Sequence, residues 1–139
     1  TPTTFIYTLS LHDALPILKR EPFDSYAYEI LKSCDRGQIK AYIASFAVTD
    51  IYYFATRLKS HDETISALKS LFNLVDIVSI TKNDIKKAML SNCFKDLEDA
   101  LQYQSAIKVK ADFIVTRDKE FQKVCDKAIT PEQLLKAFV

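Results

Sequence analysis

Residues 112–118, Asp-Phe-Ile-Val-Thr-Arg-Asp, read as a compact strand over Asp112–Thr116 that delivers an aspartate, Asp118, two residues past its end. Upstream, Asp96 caps a helix expected to run to about Lys110. Before it, Val75–Ile80 reads as a strand, and Thr81 caps a helix through about Leu90, with Asp84 placing an acid at the third helical position. Still earlier, Ala41–Ala44 is a short buried strand, followed by a helix from Phe46 to about Lys59 with Ser45 as its cap. A further helix starts at His61 or Asp62 and reaches about Asn73. Phe23, Tyr26, Ala27, Ile30, Leu31 and Cys34 recur at helical spacing, and Gly37 follows where a left-handed residue ends a helix. Downstream, Ala128–Thr130 is a weaker strand, and Thr130-Pro131-Glu132 opens a closing helix to Phe138. Strands alternating with helices imply an α/β fold: a mostly parallel sheet covered on both faces. In such sheets the binding crevice lies beyond the carboxyl ends of the strands.

Composition bounds the chemistry. At 139 residues the chain is one domain, 48% hydrophobic and 27% charged, with a formal net charge of +1 that does not announce a nucleic-acid binder. No apolar run approaches the roughly 18 residues of a membrane span. Its single glycine, Gly37, excludes glycine-rich phosphate cradles. Cys34, Cys93 and Cys125 are odd in number and widely spaced, so we expect free buried thiols in a reducing cytoplasm and no zinc site.

Residues 1–17 differ from the rest. They hold no lysine or arginine, whereas all 19 basic residues lie between Lys19 and Lys136. Codon for codon, Ile6–Ile17 resembles the translation of a common short-read sequencing adapter. Residues 1–17 are therefore taken as adapter-derived and excluded from fold reasoning, leaving 18–139 as the domain, with 19 basic against 17 acidic residues.

Acids recur where this architecture presents chemistry. Asp118 stands at a carboxyl edge, or alternatively forms a turn. Asp96, Glu98 and Asp99 crowd one helix start, where acids satisfy free N–H groups in any protein. Asp96 fits that capping role, while Asp99 is in register with Tyr103 and is expected to face inward. Asp50 lies four residues from both Phe46 and Phe54; on their stripe its charge requires a partner, or else the helix is rotated and Asp50 reaches solvent. Carboxylates from separate segments, without a histidine or cysteine cluster, suit a hard cation such as magnesium or manganese. Outside the adapter-like string the only histidine is His61, in a polar link, which makes a serine or cysteine triad a poor alternative.

At this point the residues resemble a known family, the PIN-domain ribonucleases, which include the VapC-like toxin nucleases. Ala44-Ser45-Phe46-Ala47-Val48-Thr49-Asp50-Ile51-Tyr52-Tyr53 is similar to the family's second acidic motif. Lys95-Asp96-Leu97-Glu98-Asp99-Ala100-Leu101-Gln102 resembles the third, and Thr116-Arg117-Asp118 followed by Phe121 resembles the fourth. Leu18 to Phe23 looks like the segment just after the family's first strand.

The resemblance implies a three-layer fold with a parallel sheet of about five strands and a metal-dependent endoribonuclease. Asp50, Asp99 and Asp118 would be the catalytic, metal-holding acids, with Asp96 as an auxiliary ligand or simply the cap. It further implies Mg2+ or Mn2+, an RNA substrate, an antitoxin protein, a homodimer, a cytoplasmic location and no membrane. The family's first strand ends in Asp-Thr-Asn, whose acid completes the site; its position here falls near Leu9, inside the adapter-like string. The first strand is accordingly expected to be replaced or damaged, and the chain to be weakly active. Two other classes stay open: a non-catalytic PIN-like domain that binds RNA or protein, and a phosphoacceptor domain. The last fits poorly, since Asp76 and Asp112 lie at strand starts.

Overall fold

The computed structural model describes residues 3–7 and 24–138. Five strands, β1 Thr3–Tyr7, β2 Ile39–Ala44, β3 Asp76–Val78, β4 Phe113–Val115 and β5 Ala128–Ile129, form one sheet in the order β3-β2-β1-β4-β5. All four pairings are parallel. Among the described residues seven helices connect them: α1 Asp24–Asp35, α2 Ala47–Ala55, α3 His61–Phe72, α4 Lys82–Met89, α5 Leu97–Lys108, α6 Lys119–Val124 and α7 Pro131–Phe138. None is long and apolar enough to cross a membrane.

The sheet separates two apolar clusters, as alternate residues of each strand require. On one face Ile39, Ala41 and Ile43 of β2 and Val115 of β4 meet Ile30 of α1, Ile51 of α2, Leu68 of α3 and Leu134 of α7. On the other, Ile6, Val78 and Ile114 meet Ala106 of α5 and Phe121 of α6.

The centre of the sheet, expected to be replaced or damaged, is occupied. Thr3–Tyr7 runs as a regular parallel strand, pairing Phe5 with Ala41 and Phe113, and Ile6 with Tyr42 and Ile114. Ile6 and Tyr7 belong to the adapter-like string. Ile6 is fully buried. The segment Leu18–Phe23 and the position near Leu9 lie outside the described residues.

Several helix ends differ from the sequence expectation. Ser45 does not cap α2: its N–H donates to the Val78 carbonyl at 2.8 Å, prolonging the sheet, and Phe46 takes the capping position without a side-chain bond. That helix closes at Ala55, short of Lys59. Ser60 caps α3 in a reciprocal pair with Glu63. Helix α6 was not foreseen at all. Gly37 does end α1, at φ 74°, with Gln38 N–H bonded to the Ser33 carbonyl at 3.0 Å. The three thiols are free, but only Cys125 is buried; Cys34 is half-buried, with burial pushing its pKa up to about 12, and Cys93 is exposed.

Candidate active site

Two helix starts meet at the carboxyl edge of β4. Beyond Val115 the chain turns through Thr116, which is buried and whose hydroxyl oxygen accepts from the Asp118 N–H at 3.1 Å. Asp118 then caps α6, its Oδ1 accepting from Glu120 N–H at 2.9 Å and Phe121 N–H at 3.4 Å. Gln122 closes the turn from the far side, its Nε2 donating to the Thr116 carbonyl at 2.9 Å. Arg117 is clamped by Glu132 at the start of α7, 2.5 Å away. The aspartate is therefore fixed on both flanks by groups that are not themselves acids of the site.

The second start is that of α5. Asp96 caps it through Oδ1, which accepts from Glu98 N–H at 2.8 Å and Asp99 N–H at 3.2 Å. The capping role anticipated for Asp96 is thus its structural role. Asp96, Asp99 and Asp118 line one open cleft of about 530 Å³. In both caps Oδ2 has no hydrogen-bond partner among the described residues.

Asp99 is half-buried, as its register with Tyr103 implied. Its pKa is raised from 3.8 to about 6, first by burial and then by the negative charges of Asp96, Asp118 and Glu98. Glu98 is raised too, by burial and then by Asp50 and Asp96. Asp50 is therefore electrostatically joined to the acids through Glu98. It does not line the cleft. Nor is it buried between Phe46 and Phe54: α2 turns Ala47, Ile51 and Ala55 inward and Asp50 is exposed, so the solvent alternative is the one realised.

Among the described residues, no three histidine, cysteine, aspartate or glutamate side chains converge to hold an ion. The cleft nonetheless has the donor chemistry of a hard cation. Magnesium ordinarily keeps several waters and takes one or two carboxylates together with substrate phosphates. Asp99 and Asp118 can supply that pair, and a cation between them would relieve the repulsion that raises Asp99.

Several residues of this region were not singled out from sequence. Phe94, Lys95 and Lys123 line the cleft with the acids. Gln102, one helical turn beyond Asp99, is buried with its Oε1 unpartnered. A glutamine inside the apolar stripe of a helix was the available signal, since buried polar atoms are nearly always bonded.

Known proteins share the sequence pattern and the fold of this chain. The sequence profile of the PIN domain matches residues 14–120. The chain is similar to Ribonuclease VapC1 of Aquifex aeolicus, 26% identical over 112 residues that cover 78% of this chain and 77% of that protein. The fold is similar to the crystal structure of VapBC2 from Rickettsia felis bound to a DNA fragment from their promoter, with a TM-score of 0.67, 13% identity and coverage of 92% and 98% of the two chains. It is also similar to VapC20 of Mycobacterium tuberculosis, described as a sarcin-ricin loop cleaving toxin, with a TM-score of 0.62, 14% identity and coverage of 87% and 94%.

Proposed function

This chain belongs to the PIN-domain family, and from that premise we propose that it is a divalent-metal-dependent endoribonuclease of the VapC toxin type. The observation that carries the proposal is the gathering of Asp96, Asp99 and Asp118 in one cleft at the carboxyl edge of a parallel sheet. Asp99 and Asp118 are the primary ligands of a Mg2+ or Mn2+ ion, Asp96 is a cap that also lends charge, and Asp50 acts from the rim through Glu98. A bound ion supplies a Lewis acid for the phosphoryl oxygens and a water of lowered pKa. The protein's own part is positional. Thr116 and Gln122 fix the turn that carries Asp118, and the α5 cap fixes the pitch at which Asp99 enters the cleft. We place the action in the cytoplasm, with RNA as substrate, an antitoxin protein as partner and a homodimer as the working unit.

Asp99→Asn and Asp118→Asn test the assignment. Such an ion contributes several kcal/mol to stabilising transition-state charge, and each 1.36 kcal/mol is a factor of ten in rate. Either substitution should thus lower Mg2+-dependent cleavage of a single-stranded RNA by more than about a hundredfold while leaving the chain folded. Activity within a few-fold of the parent would remove that residue from the site.

A second reading, a non-catalytic PIN-like domain, is favoured by one observation: the position near Leu9 carries no acid. We propose that residues 1–17 are adapter-derived and that this chain consequently cleaves weakly. DNA read from unamplified source material ahead of the Leu18 codon separates the readings. A strand ending in Asp-Thr-Asn supplies the missing acid and the nuclease; adapter-like codons in the genome give the non-catalytic domain.

A further inference from the structure

The cleft has a wall that the metal chemistry does not use. Besides the acids Asp96, Asp99, Asp118 and Glu120 the cleft is lined by Cys93, Phe94, Phe121 and Val124 and by Lys95 and Lys123. Phe94 sits in the link between α4 and α5, only half-buried. Its ring is nevertheless anchored, 4.9 Å from Phe121 and 5.4 Å from Tyr103, centroid to centroid. An aromatic ring already ordered by its neighbours costs little further entropy on binding. Lys95 makes no ion pair among the described residues. Among the described residues Lys123 is paired only with Glu120, at 3.2 Å and with both side chains largely exposed, a bond of little net strength that a phosphate can displace.

We propose that this wall is a nucleobase subsite: an unpaired base of single-stranded RNA stacks on Phe94, and Lys95 and Lys123 take the adjoining phosphates. The inference rests on the ribonuclease reading and names how that site holds its substrate. Three features select this occupant. The cleft volume of about 530 Å³ lies in the range that accepts small ligands, roughly 300–1,000 Å³. Lysines that line the same cleft as an aromatic ring match a run of phosphates and a base, whereas an apolar peptide would leave both lysines unanswered. Only unstacked bases can lie against a protein ring, and base–aromatic stacking tolerates any sequence because every base offers a π-face. The subsite should therefore select strandedness, not sequence.

The test reads binding without turnover. A fluorescent single-stranded oligoribonucleotide is titrated by anisotropy in EDTA, and an abasic residue is then moved through it one position at a time. In the unmodified protein one abasic position should weaken binding by roughly tenfold. Phe94→Ala should bind the intact and abasic strands alike, at the weaker level, while Phe94→Tyr keeps the discrimination. Because Phe94→Ala also loosens the packing on Phe121, the tyrosine variant and the scan of the unmodified protein carry the result if the alanine variant does not fold. Lys95→Ala should lower the slope of log K against log salt by about one. Indifference to every abasic position, or an equal penalty in Phe94→Ala, overturns the proposal and leaves the wall to a protein partner. Base discrimination without Mg2+-dependent cleavage, in a protein whose first strand again ends in Asp-Thr-Asn, would instead remove the nuclease reading and keep the subsite.

Discussion

Asp99 keeps its proton to about pH 6 because it enters a half-buried cleft already charged by Asp96, Asp118 and Glu98. Its folded pKa lies above the ordinary 3.8, so between those values the folded chain binds a proton that the unfolded chain has released. Stability therefore falls as pH rises from about 4 through about 6. Asp99→Asn should raise the urea midpoint in EDTA at pH 7 to 8, and the gain should vanish below about pH 4. A midpoint equal to the parent's at pH 8 would show that the crowding is not felt. Residue-scale roles were legible where one helix fixed them: the cap at Asp96 and the inward register of Asp99 both follow from spacing. Asp50 was not, because the stripe through Phe46 and Phe54 competed with that through Ala47, Ile51 and Ala55. The helix presents the smaller residues to the sheet and leaves the acid in solvent. Only the assembled electrostatics show that its charge reaches Glu98.

At the scale of elements, an ion pair joins helices α4 and α5 where they pack together. Lys108 Nζ lies 2.8 Å from Asp84 Oδ2 and also donates to the Ser79 carbonyl at 2.8 Å. The Asp84 pKa is lowered to about 2, first by that bond to Lys108 and then by the Thr81 N–H and hydroxyl. A carboxylate held below its ordinary value contributes stability at neutral pH that is lost as pH falls from about 4 through about 2. Lys108→Met should lower the urea midpoint at pH 7 and flatten its decline over that acid window; an unchanged slope would mean the lysine does not hold the proton off. Half of this arrangement could be seen in the sequence, since Thr81 and Asp84 form a capping box at fixed spacing. The lysine, 24 residues on, could not. Helix α6 was missed for a related reason. Its six residues are too few to show a period, and it exists because Asp118 caps it and Phe121 is buried beneath it.

For the whole molecule, the alternation of elements announced the parallel sheet, and every strand foreseen from 41 onward is present. What spacing could not tell was the fate of the centre. The Thr-Thr-Phe-Ile-Tyr run is β-branched and aromatic, which suits a pleated, buried strand whatever its origin. Ile6 pairs across to Ile114 and joins the cluster with Val78 and Phe121. Ile6→Ala should cost about 2–5 kcal/mol of unfolding free energy, read from urea denaturation. A cost below about 1 kcal/mol, well under that range, would mean that Thr3–Tyr7 does not hold the middle of the sheet.

The place of β1 also sets a schedule for synthesis. Strand β1 lies between β2 and β4, and its Thr4 amide is bonded to Asp112, 108 residues later. Translation at about 5–20 residues per second keeps that edge waiting for several seconds. Over the same interval Asp118 does not yet exist, so a nascent chain cannot complete the cleft until residue 118 has been added.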